Sequence, residues 1–192
     1  MHDIHIFRSK SGWVYLSITV LIVALTFYSF LQAGYVTEAL VTLCNGFAVS
    51  VLIWVFAIMP KIVFSKSRIE IHNPFFTVRI PWSDVVGLLT RYSLTIQTEN
   101  AKYASWAAPA PSIFAARRAH KADFSSRDLD SKKIITPSES PNSASGAAFT
   151  IALRYQQDIQ PDILAAPEKA INWISVSLIS LALLAVLYNF VH

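Results

Sequence analysis

The sequence predicts an α+β membrane protein: three transmembrane helices and a water-facing antiparallel sheet or barrel capped by one helix. Three observations predict it. Of 192 residues, 54% are hydrophobic and 15% charged, where a soluble globular domain carries about 25% charged residues. Residues 13–31, 40–59 and 171–191 contain no charged side chain. Between the second and third of these runs, residues 69–88 read IEIHNPFFTVRIPWSDVVGL and alternate apolar with polar side chains, the pattern of half-buried strands.

Each uncharged run is long enough to be a span, because about 20 helical residues at about 1.5 Å each cover a hydrocarbon core of about 30 Å. The first run exceeds the apolar region of a secretory signal, and a second run follows after the short loop QAGYVTEA. An uncleaved span is therefore expected rather than a signal peptide. Pro60 ends the second helix. Residues 1–60 are thus expected to form a helical hairpin, 61–160 the sheet module, and 161–192 a linker with the third span.

Within the module, Ile69 and Ile71 share one strand face and Asn73-Pro74 turns the chain. The return strand FFTVRIPW puts Phe76, Val78 and Ile80 on one side, Thr77 and Arg79 on the other. VVGLL and RYSLTIQTEN continue the pattern with Leu94 and Ile96 inward. KYASWAA follows the Asn100-Ala101 turn and is ended by Pro109 and Pro111. Residues 112–145 are rich in Ser, Ala and charge and read as a long loop. A helical stripe of Ala148, Ile151, Ala152, Tyr155 and Ile159 then returns, with Ser145 as the expected cap and Pro161 as the stop.

The cations set an orientation. Of 16 Lys and Arg, Arg8 and Lys10 precede the first run and the rest lie between Lys61 and Lys169. Basic residues are retained inside, so the chain is expected in the cell membrane as a multi-pass protein, with its N-terminus and sheet module cytoplasmic and its C-terminus extracytoplasmic. Trp13 and Trp173 fall at the inner ends of their runs, and Tyr28, Tyr35 and Tyr188 towards the outer ends, as interfacial aromatics should.

The strand series IPWSDV, LTIQTEN and KYASWAAP, with the later ESPNSASGAAFTIALR, resembles the bacterial pleckstrin-homology-like (PH-like) domains of actinobacterial membrane proteins, the low molecular weight protein antigen 6 type. The likeness covers about residues 62–157 and is most specific at Ile80-Pro81-Trp82 with Asp84 and Val85. It implies a curved antiparallel barrel capped by one helix, and no enzyme activity. Such domains bind lipid headgroups, peptides or neighbouring proteins.

Candidate sites follow from residue type. Trp82 suits a domain-core ring whose indole N–H reaches backbone, in preference to a partner anchor. Arg117, Arg118, Lys121, Lys132 and Lys133 could touch anionic lipid or a partner at about 1 kcal/mol per charge, although Asp123, Asp128 and Asp130 dilute that field and favour a solvated loop. Asn45, with Gly46 and Ser50, suits close helix packing. The lone Cys44 suits packing too. His72 and His120 have no partner at metal-ligand spacing, and His2, His5 and His192 form no such site. Nucleophile, redox and phosphate-loop motifs are lacking, and no acidic, basic or histidine side chain sits at mid-membrane in a span, as a transport or proton path would need. No catalytic residue, cofactor or metal is therefore expected.

These readings point to a non-enzymatic accessory or scaffold subunit of a larger bacterial membrane complex. By family analogy a respiratory-chain supercomplex is the expected home. The expected partners are other membrane proteins and bilayer lipids, anionic ones included, with neither nucleic acid nor a small-molecule substrate. The alternative is an anionic-lipid-binding or envelope-stress sensor.

Overall fold

A computed structural model describes residues 4–110, 143–160, 162 and 166–191. In chain order the strands are β1 (His5–Phe7), β2 (Lys61–Phe64), β3 (Arg68–His72), β4 (Phe76–Pro81), β5 (Gly87–Leu89), β6 (Ser93–Gln97), β7 (Lys102–Pro109) and β8 (Glu168–Ile171). The helices are α1 (Ser11–Gln32), α2 (Val36–Ile53), α3 (Ala144–Gln156) and α4 (Trp173–Val191). They divide between two compact units.

The sheet unit takes in the described parts of Met1–Arg8, Lys61–His72 and Thr77–Ala170. Its larger sheet has the order β1-β2-β3-β4-β8, and its smaller sheet the order β5-β6-β7. Antiparallel register sets Ile69 opposite both Phe64 and Ile80, and Ile71 opposite both Ile62 and Val78. Two cross-strand rows result, and all six side chains are fully buried. Burying each contributes about 1.5–3 kcal/mol, so these rows dominate the unit's stability. Leu94 and Ile96 of β6 and Ala107 and Ala108 of β7 complete the core. β7 lies against β2 and β3, while α3 covers β6, β7 and β2 with buried Ala148 and Ala152.

Four expectations change here. The segment before the first helix is a strand: β1 pairs antiparallel with β2, Ile6 opposite Val63. The sheet module therefore starts before the helical hairpin, not after it. Glu168–Ile171 is likewise a strand, adding β8 beside β4 where a plain linker was expected. The helix cap is Ser143, whose Oγ accepts the Gly146 N–H at 2.9 Å, while Ser145 is a buried residue of the first turn. Ile159 lies beyond the helix and is exposed. Residues 112–142 of the expected loop, and Pro161, lie outside the described residues.

The helical unit comprises Ser9–Pro60, Asn73–Phe76 and Ile171–His192. Ser11–Gln32 and Val36–Ile58 are long and apolar enough to cross a membrane, and Trp173–Asn189 is apolar but shorter. Two of the three expected spans thus meet the criterion of length. Gly34 joins α1 to α2 with φ +79°, and the Tyr35 N–H returns to the Phe30 carbonyl at 2.9 Å. That helix-ending turn needs a left-handed residue, which glycine supplies without a Cβ clash. At its far end α2 widens into a π-helical segment, Trp54–Ile58, closed by the Met59 N–H on the Trp54 carbonyl at 2.8 Å before Pro60 stops it.

Because β1 protects the outer edge of β2, replacing His5-Ile6-Phe7 by Gly-Ser-Gly is expected to expose the ladder donors of Lys61–Phe64. Hydrogen exchange read by mass spectrometry should lose protection in β2 while that of β6 stays unchanged.

Candidate functional site

The IPW segment builds the hinge between the two sheets. Pro81 ends β4 and a single 3-10 turn, Trp82–Asp84, follows. Trp82 is 2% exposed, and its Nε1–H donates to the Ser65 carbonyl at 2.7 Å. The Ser65 N–H and Oγ both donate to the Arg68 carbonyl, at 3.0 and 2.8 Å. One buried ring thereby fixes the β2–β3 turn from beneath. Its position is that of a core residue and leaves no aromatic face for a partner.

The outward face of β2, β3 and β4 carries a charged cluster that follows from the same register. Glu70 stands opposite Arg79, and His72 stands between Lys61 and Thr77. Glu70 accepts from Arg68 Nε at 2.9 Å and lies 3.8 Å from Arg79 Nε and 3.4 Å from His72 Nε2. Arg79 reaches Glu168 of β8 at 3.8 Å, and Arg68 reaches Asp162 at 3.4 Å. Lys66 pairs with Asp158 just beyond α3. Apart from Asp162, whose carboxylate is buried, these groups are partly exposed, and pairs between such groups are worth about 0–1 kcal/mol each. They secure strand β8 and the segment after α3 more than they stabilise the core.

His72 is the perturbed group of this cluster. Burial desolvates the imidazole and the neighbouring Lys61 repels its charged form, so its pKa lies below 6.5, Glu70 opposing the shift in part. Nδ1 lies 3.2 Å from Thr77 Oγ1. The neutral ring is thus the native form at neutral pH.

A polar cleft of about 410 Å³ opens elsewhere on the sheet unit, lined by Ser83, Asp84, Thr98, Glu99, Asn100 and Tyr103 with Val86 and Pro167. Two carboxylates, hydroxyls and an amide line it, without a lysine or arginine, so its chemistry suits cationic or hydrogen-bonding groups. Among the described residues no group of three His, Cys, Asp or Glu could hold a metal ion.

In the helical unit, Asn45, Gly46 and Ser50 are brought to packed positions. A Cβ on Gly46 would sit 2.5 Å from Val23 Cγ2, so α1 and α2 approach only because that position lacks a side chain. Asn45 Oδ1 accepts from Asn189 Nδ2 of α4 at 3.1 Å. Ser50 Oγ bonds its own helix at the Gly46 carbonyl, 2.7 Å. Arg117, Arg118, Lys121, Lys132 and Lys133 lie outside the described residues. Sequence reasoning missed the Glu70–His72–Arg79 cluster and the cleft. The cluster's signal is the polar phase of the β3 and β4 alternation; the cleft, lined by residues of separate segments, has no local signal.

A larger and a smaller antiparallel sheet with one covering helix define a PH-like architecture. Comparison with known families agrees: residues 59–122 match the family model of the bacterial PH domain. That interval runs from just before β2 past the end of β7, so this part of the chain is similar to a bacterial PH domain, consistent with the resemblance carried by Ile80-Pro81-Trp82 and its flanking strands. The interval leaves out β1, α3 and β8, which the fold adds. No curated protein and no solved structure matches the chain.

Three substitutions test this site. Trp82→Phe removes the indole donor and is expected to cost about 1–3 kcal/mol. Trp82→Ala should cost about 3–5 kcal/mol in denaturant unfolding. His72, with its folded pKa below 6.5, is matched in the unfolded chain by a group that binds more protons in that window. Its contribution is therefore complete above pH 6.5 and is lost as pH falls towards the folded value. Thermal unfolding of His72→Asn should show a shallower acid-side decline than the parent protein.

Proposed function

We propose that the protein is a non-enzymatic accessory or scaffold subunit of a larger membrane assembly. Three spans anchor it in the cell membrane, and the N-terminus and PH domain face the cytoplasm. The orientation rests on the cations, all of which lie at Arg8, Lys10 or between Lys61 and Lys169. The absence of catalytic and redox motifs from the sequence supports a binding role rather than a reaction.

The observation that carries the proposal is how little the long helices cover one another. In α1 the only buried residue among 22 is Gly12, and α2 buries Ala39, Gly46 and Ala48. Small residues make the internal contacts, while Leu21, Leu25 and Phe47 point outward at 60%, 62% and 71% exposure. In lipid, helices associate through packing and polar contacts rather than through hydrophobic drive. The outward faces are therefore free for lipid and for the helices of a partner. The PH domain adds a second contact region, its polar cleft, on the same chain.

Purification in mild detergent followed by mass spectrometry tests the proposal. Other integral membrane proteins should co-elute in fixed ratio with this chain. Elution of a lone 21.4 kDa species under several detergents would reject it.

A further inference from the structure

The β3–β4 turn, Asn73-Pro74-Phe75-Phe76, belongs by its contacts to the helical unit and not to the sheets it joins. Two hydrogen bonds from Asn172 hold it there. The Phe75 carbonyl accepts the Asn172 N–H at 3.0 Å, and the Asn73 carbonyl accepts Asn172 Nδ2 at 3.5 Å. Asn172 Oδ1 in turn accepts the Ser175 N–H at 3.4 Å, so the residue that grips the turn also caps α4. The Phe75 ring then meets Phe56 of the π-helical segment edge-on, centroids 5.7 Å apart.

Within this fixed turn the exposures are unequal. Asn73 and Pro74 are buried, while Phe75 is 45% exposed. Exposed turn tips in water favour Gly, Asn, Asp and Ser, and this one presents a phenyl ring. The same end of the helical unit carries Trp13 at the start of α1, Trp54 at the start of the π-helical segment and Trp173 at the start of α4, exposed at 55%, 43% and 68%. Trp13 and Trp54 touch edge-on at 5.9 Å. Exposed tryptophans gathered at one end of apolar helices are the mark of the membrane–water boundary.

We infer that the Asn73–Phe76 turn is a lipid-contacting element: Phe75 enters the headgroup–acyl boundary of the bilayer at the level of Trp13, Trp54 and Trp173. This rests on the membrane-anchored reading above. The four turn residues carry no charge, so the contact is with the apolar border of any phospholipid and does not select anionic headgroups. The turn is thereby a lipid contact within the PH domain itself, separate from any contributed by the basic residues.

The test uses the full chain in phosphatidylcholine nanodiscs. An environment-sensitive fluorophore is attached at Phe75→Cys in a Cys44→Ser background, and in a second sample at the native Cys44, which is exposed on α2. Nitroxide lipids quench at two depths, near the ester groups or near the middle of the chain. The label at position 75 should lose most of its fluorescence to the shallow quencher, and the label at Cys44 to the deep one. Adding phosphatidylglycerol should change neither. If Cys44 is quenched while position 75 is not, or is quenched only with anionic lipid present, the inference is wrong and the spans stand. If neither label is quenched, the membrane-anchored reading falls as well. A photoreactive benzoyl-phenylalanine at position 75 keeps an aromatic ring in place and should crosslink to phospholipid. Failure to form that adduct would also overturn the inference.

Discussion

The register of β3 between β2 and β4 is the constraint on which the sheet unit depends. Side chains on a strand alternate between faces, so a slip by one residue would turn Ile69 and Ile71 outward and bury Glu70 and His72. The two buried rows, Phe64–Ile69–Ile80 and Ile62–Ile71–Val78, hold that register with several kcal/mol each. The ion pairs on the opposite face are worth far less. Yet those pairs exist only because the core rows place Glu70 opposite Arg79 and His72 beside Lys61. Trp82 adds a directional element, tying the β2–β3 turn to the point where the chain leaves the larger sheet.

The helical unit follows a different rule. Its close contacts are made where side chains are absent or small: Gly46 against Val23, and buried Ala39 and Ala48 on the same helix. Large apolar side chains gain nothing by meeting each other in a lipid environment, since acyl chains solvate them equally well. The Asn45–Asn189 bond is favoured there for the opposite reason, because an amide facing hydrocarbon alone would lose its partners. Packing of this kind leaves large apolar side chains such as Leu21, Leu25 and Phe47 exposed on the outer faces.

The two rules bear jointly on function. The sheet unit, which is similar to a bacterial PH domain over residues 59–122, supplies a polar cleft and a charged face, and the helical unit supplies two helices long and apolar enough to cross a membrane. Neither part holds, among the described residues, a group of three His, Cys, Asp or Glu that could bind a metal ion. What the chain presents instead is surface: outward-facing helices, a polar cleft and an aromatic turn.

Much of this was legible in the chain. The two-residue alternation of 69–80 marked both strands and their buried Ile69, Ile71, Val78 and Ile80, though Phe76, expected on the same face, is only half-buried; Leu94 and Ile96 followed from the same alternation, and Ala148 and Ala152 from the helical stripe. The IPW segment led correctly to the bacterial PH domain. His5-Ile6-Phe7 and Glu168–Ile171 were not legible, because each is a strand only by virtue of a partner distant in sequence, and short segments carry too little periodicity of their own. The Ser143 cap was missed for a similar reason, three serines standing within seven residues at 139–145. Composition and periodicity by themselves determined that the chain has apolar helices and a sheet, since both are local properties of which side chains prefer water. Only the tertiary structure decided that the sheet begins before the first helix, that Gly46 faces Val23 and that Phe75 sits with the helices, because each depends on which surfaces meet across the chain.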